Sequence, residues 1–250
     1  MQPSEGRRRA RLAARLKAAR GLALPLGLAL ALAACANPTP EASASAGGSP
    51  LRYLGQQILP PGLVFDGTTV GGLSALDFDP QRGVHVALSD DRGTHGPPRT
   101  YTLALDLAAF RRAAEPGRDG VRLLAVTPLR RPDGGAHAVG DVDPEGLRLD
   151  PTRARLFWSD EGQRRRIGAF LPPAVRVADL QGREIARLPL PEAFLPRGSA
   201  GGGAPGDAGV RDNLALESLA LTPDGRTLCT ASESALAQDG DLATLERGTR

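Results

Sequence analysis

Three stretches of this 250-residue chain follow one plan, and no other feature of the sequence restricts the fold as much. Aligned on a proline, they are Gly72 to Pro80 leading to Val84–Asp90, Glu145 to Pro151 leading to Leu156–Asp160, and Glu217 to Pro223 leading to Thr227–Glu233. Self-similarity at a fixed period marks stacked or radial supersecondary units. Each unit is a short alternating run, a turn carrying Pro with Gly or Asp, and a second apolar run, which is the signature of a β-hairpin. After residue 50 no segment keeps a helical period for three turns, apart from a possible short helix near Leu103–Ala114. The expected fold is therefore all-β. The prolines lie about 71 residues apart, more than the usual 40 to 50 of a four-stranded propeller blade, so each unit is expected to be a blade with loop insertions or a blade and a half. The long loops this needs are visible at Arg111–Gly120, Arg130–Gly140 and Arg197–Gly209. The chain ends just after a turn signal, and a propeller closes its last blade on its first. C-terminal blades are accordingly expected to be missing from a β-propeller that is incomplete in this chain.

The first fifty residues have a different character. A basic stretch ending at Arg20 runs into a 14-residue apolar segment, Gly21 to Ala34, and then Cys35. This is the layout of a secretory signal, and it is too short to span a bilayer as a helix. Leu32-Ala33-Ala34-Cys35 has the form of a bacterial lipobox, with Cys35 as the lipidated residue, residues 1–34 as the signal peptide and residues 35–50, rich in Pro, Ser, Ala and Gly, as a disordered tether. Ordinary cleavage after Ala36 is the alternative. An exported, membrane-anchored lipoprotein on the periplasmic or cell-surface side is expected, with residues 51–250 as one folded domain, monomeric. Seven of the 31 basic residues sit in the leader, so the remainder carries 24 basic against 27 acidic residues. No nucleic-acid partner is expected from that balance. With Cys35 acylated, Cys229 has no disulfide partner, and its apolar run reads as a strand with a buried, inert thiol.

Acid closes each second run: Asp90 and Asp91, Asp160 and Glu161, and Glu233. Acid also precedes the first runs of units two and three, with Asp141, Asp143 and Glu145 in one and Asp212 and Glu217 in the other. Related by rotation about an axis, equivalent strand ends fall on one rim, and Asp90, Asp160 and Glu233 should point into one cavity. Carboxylates within about 6 Å raise one another's pKa unless a cation sits among them. Ca²⁺, which takes six to eight oxygen ligands, suits such a cage, and a bound ion can polarise a phosphoryl oxygen. The sites expected are Asp90, Asp91, Glu145 and Glu233 for a divalent cation, Asp160, Glu161 and Glu217 for catalysis, and Arg211 with Asn213 for an anionic substrate. The competing reading is plain turn chemistry, since Asx side chains cap their own backbone. The three histidines show no ligand spacing, and no H-E-x-x-H, G-x-S-x-G, G-x-x-x-x-G-K or G-x-G-x-x-G is present.

At these residues the chain resembles the phytase-like family, described as "esterase-like activity of phytase". The resemblance rests on Gly71-Gly-Leu-Ser-Ala-Leu with Ser89-Asp-Asp-Arg-Gly93, on Asp143-Pro-Glu-Gly-Leu147 with Ser159-Asp-Glu-Gly162, and on Arg211-Asp-Asn-Leu-Ala-Leu-Glu-Ser-Leu219 with Pro223-Asp-Gly-Arg226 and Ser232-Glu233. It runs from about Leu51 to the C-terminus with its three blocks in family order; Ala215-Leu216 before Glu217 and Ser218 after it depart from the pattern. The resemblance implies an exported β-propeller and a metal-assisted phosphoester hydrolase acting on an anionic small molecule. A non-catalytic surface lipoprotein that uses the propeller as a binding platform is the alternative.

Overall fold

Alternation of side chains along the strands decides how the sheets stack. A computed structural model describes residues 51–111, 115–163, 170–196 and 208–248; the leader, Cys35, the tether and most of the Arg197–Gly209 loop lie outside the described residues. A short hairpin, β1 (Val64–Phe65) and β2 (Thr68–Thr69), precedes the first sheet, the antiparallel meander β3 (Leu73–Asp79), β4 (Val84–Ser89), β5 (Arg99–Leu105) and β6 (Val121–Pro128). A second meander comprises β7 (Pro144–Asp150), β8 (Arg155–Asp160), β9 (Ala174–Asp179) and β10 (Glu184–Leu188), and a third sheet pairs β11 (Leu216–Leu221) with β12 (Leu228–Ser232). The structure is all-β, and each proline-aligned unit opens a sheet as its first hairpin. One interval of the repeat holds one four-stranded sheet plus loops, not a sheet and a half.

The central strands are apolar on both faces because each serves two neighbours. On β4, Val86 and Leu88 pack with Leu147, Leu149, Leu156 and Trp158 of the second sheet. The intervening Ala87 packs with Val70, Tyr101 and Leu103 on the other side. On β8, Phe157 turns away from its neighbours Leu156 and Trp158 to meet Val175, Leu216 and Leu219 beside the third sheet. A run such as Leu156-Phe-Trp158 is thus legible as a strand sandwiched between two sheets.

Every first hairpin also carries a register shift at its open end. The pairing slips between Leu73 and Ala75, between Pro144 and Leu147, and between Leu216 and Ser218. Bulges of this kind re-aim a side chain at a strand end. Here they act on Ser74, Glu145 and Glu217, each six residues before its proline. The same backbone bond closes each bulge: Asp90 donates to Gly72, Glu161 to Asp143 and Glu233 to Ala215, at 2.7, 2.8 and 2.8 Å. The first strands pack side by side closely enough that a Cβ on Gly146 would stand 2.9 Å from Ser159 Oγ and 3.0 Å from the Leu219 nitrogen. Only glycine fits there.

Two local expectations are corrected. The helix expected near Leu103–Ala114 does not form over its described residues, 103–111: β5 continues through Leu105, and a single 3-10 turn follows at Leu107–Ala109, capped by Asp106 accepting from Ala108 N–H. Arg99-Thr-Tyr-Thr is β-branched and aromatic, and pairing with both β4 and β6 holds the stretch extended. Cys229 is free as expected but exposed, because β12 has a ladder partner only on its β11 side among the described residues. Among those residues no helix is long and apolar enough to cross a membrane.

Candidate metal centre

The bulges bring the acids of units two and three together. Carboxylate oxygens of Asp143, Glu145 and Glu161 lie within 4.8 Å of one another, and so do those of Glu161, Glu217 and Glu233. Glu161 belongs to both triplets and is 2% exposed. Its Oε1 accepts from the Ala215 N–H at 2.6 Å, which ties the second unit to the third.

The shared field appears in the protonation of the group. Burial, the Glu217 charge and then Asp143 and Asp90 push Glu145 up to about 8. Burial pushes Asp143 up to about 7 against the opposing pull of Arg92, and burial with Glu161 and Glu233 pushes Glu217 to about 7. Glu161 and Asp90 are also raised, burial first in each case. Asp90 thus joins the field of the cluster from the rim, its carboxylate lying against Gly72, where any side chain would collide with it.

These raised pKa values predict an inverted pH dependence for the metal-free protein. Between about pH 4.5 and 8 the folded state binds more protons than the unfolded chain, so the stability contribution is complete at low pH and is lost as pH rises through 7 to 8. A tenfold change in proton affinity is worth about 1.4 kcal/mol. Glu145 and Glu217 are half-buried, and solvent screening reduces what each contributes. A fall of about 3 kcal/mol from pH 5 to pH 8, or roughly 6–12 °C in Tm, is expected in chelator. A Tm that holds or rises over that interval in thermal melts would remove the argument.

Not every expected residue lies in the cluster. Asp160 turns away from it: its Oδ2 accepts from Arg176 Nε at 2.9 Å and Nη2 at 2.5 Å, and its Oδ1 accepts from the Asp143 and Gly162 N–H groups. Arg176 also donates to Glu184 at 2.6 Å, so Asp160 belongs to a buried ionic triad. Asp91 is similarly engaged. Its oxygens accept from the backbone of Gly93, Thr94 and His95 and from Arg99 at 2.8 Å. Burial would raise its pKa, but Arg99 and those N–H groups more than offset it and hold it low. Arg211 donates to the carbonyls of Ala235 and Gly240 at 3.2 and 2.5 Å. Asn213, in left-handed conformation at φ 57°, accepts from Arg92 Nη2 with its Oδ1 instead.

Among the described residues, the cation that meets the cluster is Arg92. Its Nε donates to Asp143 Oδ1 at 2.7 Å and its Nη2 to Asn213 Oδ1 at 2.6 Å. Nη2 also stands 2.6 Å from Asp143 Oδ2, so the guanidinium and this carboxylate, whose side chain is 1% exposed, form a close ion pair. Neither Asp143 nor Arg92 is among the site residues expected from the sequence. Asp143 is visible there among the acids before the second unit, and Arg92 within the Ser89-Asp-Asp-Arg-Gly93 block, but neither carries a local mark of its partner.

Hard oxygen donors gathered in two triplets and acids driven towards neutrality define a site that is able to hold a metal ion, carried on a repeated-hairpin all-β fold. The family model described as "Phytase-like: Esterase-like activity of phytase" matches residues 68–250, and the chain belongs to that family. No curated protein and no solved structure matches it.

Proposed function

We propose that the protein is a metal-assisted phosphoester hydrolase built on a β-propeller, with Ca²⁺ as the ion. The observation that carries this reading is the pair of carboxylate triplets sharing Glu161. Asp143, Glu145 and Glu161 would hold one cation, and Glu161, Glu217 and Glu233 a second or the same ion, Glu161 meanwhile keeping its bond to Ala215. The donor set fits the ion: all are carboxylates, and the crowding that raises their pKa values is relieved by positive charge. Bound there, the cation supplies Lewis-acid polarisation of a phosphoryl oxygen and an activated water. The protein's own part is to fix the acids at bulged strand ends and to give them a partly dry setting, in which charge on the substrate is felt strongly. Family membership supports a phosphate ester as the substrate. The side-by-side first strands of successive sheets support the propeller, since a radial arrangement places strand starts around one axis.

The deciding assay measures phosphate release from a generic phosphomonoester and from phytate by the purified protein, in chelator and with added Ca²⁺. Calcium-dependent release is expected. Calcium binding without turnover on any phosphoester would leave the non-catalytic binding platform as the better reading. Export and lipid attachment at Cys35 complete the proposal and would place the site where calcium is plentiful; fatty-acid label should appear on the wild-type protein in cells and vanish with Cys35→Ser, and label that persists would refute the anchor.

A further inference from the structure

The guanidinium of Arg92 has two competing uses, and the geometry shows one of them engaged. Its planar fork matches one carboxylate or one phosphoryl group, not both. In this structure the fork lies on Asp143 and Asn213, and Nη1 makes no hydrogen bond among the described residues. The Arg92 side chain is 37% exposed against 1% for Asp143, so the charged head stands at the mouth of the site while its partner is sealed beneath it. Beside the head opens a pocket of about 300 Å³ whose lining includes Gly71, Gly72, Asp90, Thr94 and His95. The backbone is braced: the Gly140 N–H donates to the Arg92 carbonyl at 2.7 Å. A change of partner therefore needs only side-chain rotation.

We propose that Arg92 is the anion-binding group of the site and that Asp143 holds it in reserve until a cation arrives. The inference rests on the hydrolase reading above and adds to it the order of events. Asp143 belongs to the first carboxylate triplet, so a divalent ion there draws on the same charge as the guanidinium. With twice the charge of the guanidinium, a divalent ion held by the triplet would compete successfully for the Asp143 carboxylate. Its charge would also repel Arg92, and the freed guanidinium could turn to the pocket, where a phosphoryl group would occupy the fork. Cation and anion then bind with positive coupling, and the coupling is reciprocal. Arg211, held by two backbone carbonyls, is not needed for this step.

The test is calorimetric titration of the full chain with phenylphosphonate, a soluble non-hydrolysable phosphoester analogue, in chelator and in calcium, with the calcium-induced Tm rise recorded on the same samples. Wild-type affinity is expected to rise at least tenfold with calcium. Asp143→Asn keeps the guanidinium and removes its counter-charge, so binding in chelator should tighten about tenfold and lose most of its calcium dependence. Arg92→Lys, which keeps the charge without the fork, should bind calcium normally and phenylphosphonate at least tenfold more weakly in calcium; it decides the matter if Asp143→Asn does not fold. Equal wild-type affinity in chelator and calcium, no gain in a folded Asp143→Asn, or unchanged affinity in Arg92→Lys overturns the proposal. Absence of any calcium-induced Tm rise would sink the metal-centre reading itself, a different outcome from calcium binding with indifferent anion affinity.

Discussion

Replacing Glu161 with glutamine is expected to make the metal-free protein more stable at pH 8 while nearly abolishing its response to calcium. The amide oxygen can still accept from Ala215 N–H, and the side-chain volume is unchanged, so the tie between the second and third units survives. What disappears is the charge common to both triplets. Repulsion on Glu217 and on Asp143 falls, because Glu161 raises the pKa of each. A Tm gain of a few degrees in chelator is expected, since about 1 kcal/mol moves Tm by roughly 2–4 °C in a domain of this size. Loss of the shared ligand should weaken calcium binding at least a hundredfold, about 2.7 kcal/mol. Opposite signs in the two conditions are the test: a defect confined to folding lowers Tm in both. Glu161→Gln melts that respond to calcium like wild type would show that the ion, if bound at all, is held elsewhere. Stability given up for a charged site is a common arrangement in functional centres.

Arg176→Met should be the most damaging single change in the second sheet, lowering stability by about 3–5 kcal/mol, or roughly 6–20 °C in Tm. Among the described residues it strands Asp160 and Glu184, both almost fully buried, with no counter-charge for Asp160 and only the half-exposed Arg187 for Glu184. The triple variant Arg176→Met, Asp160→Asn, Glu184→Gln removes the charges together and should recover most of the loss. A single Arg176→Met that melts like wild type would show that the triad contributes little to the fold. The same comparison separates the two readings of Asp160, because a residue needed only for packing changes Tm without changing calcium affinity.

The hairpins are legible because their signal is local: a proline turn at a constant interval and alternating or apolar runs to either side. The remaining two strands of each four-stranded sheet are not, because the end of β5 reads as the start of a helix and only pairing on both sides holds it extended. The acid cluster is legible in kind, but of the two adjacent acids expected in unit two only Glu161 enters it. Counted from the prolines, Asp90, Glu161 and Glu233 each stand ten residues on, whereas Asp160 stands nine on, in step with Ser89 and Ser232. In a strand one residue turns a side chain to the opposite face, and so Asp160 meets Arg176 while Glu161 meets the other acids. Pairings such as Arg92 with Asp143 and Asn213 span 51 and 121 residues and leave no local trace. Cys229 reads as buried because its run is apolar; the open side of β12 is a property of the sheet, not of the run.

Arg92 has a mechanical consequence as well as a chemical one. In modular chains each module ordinarily feels only the one before and the one after, and disturbances at one end fade before they reach the other. This side chain starts in the first unit and ends on the second and the third, adding a next-nearest-neighbour link to an otherwise sequential stack. Loosening at Asn213, just before the last hairpin, therefore frees one arm of the Arg92 fork, giving a disturbance in the third module a direct route to the first.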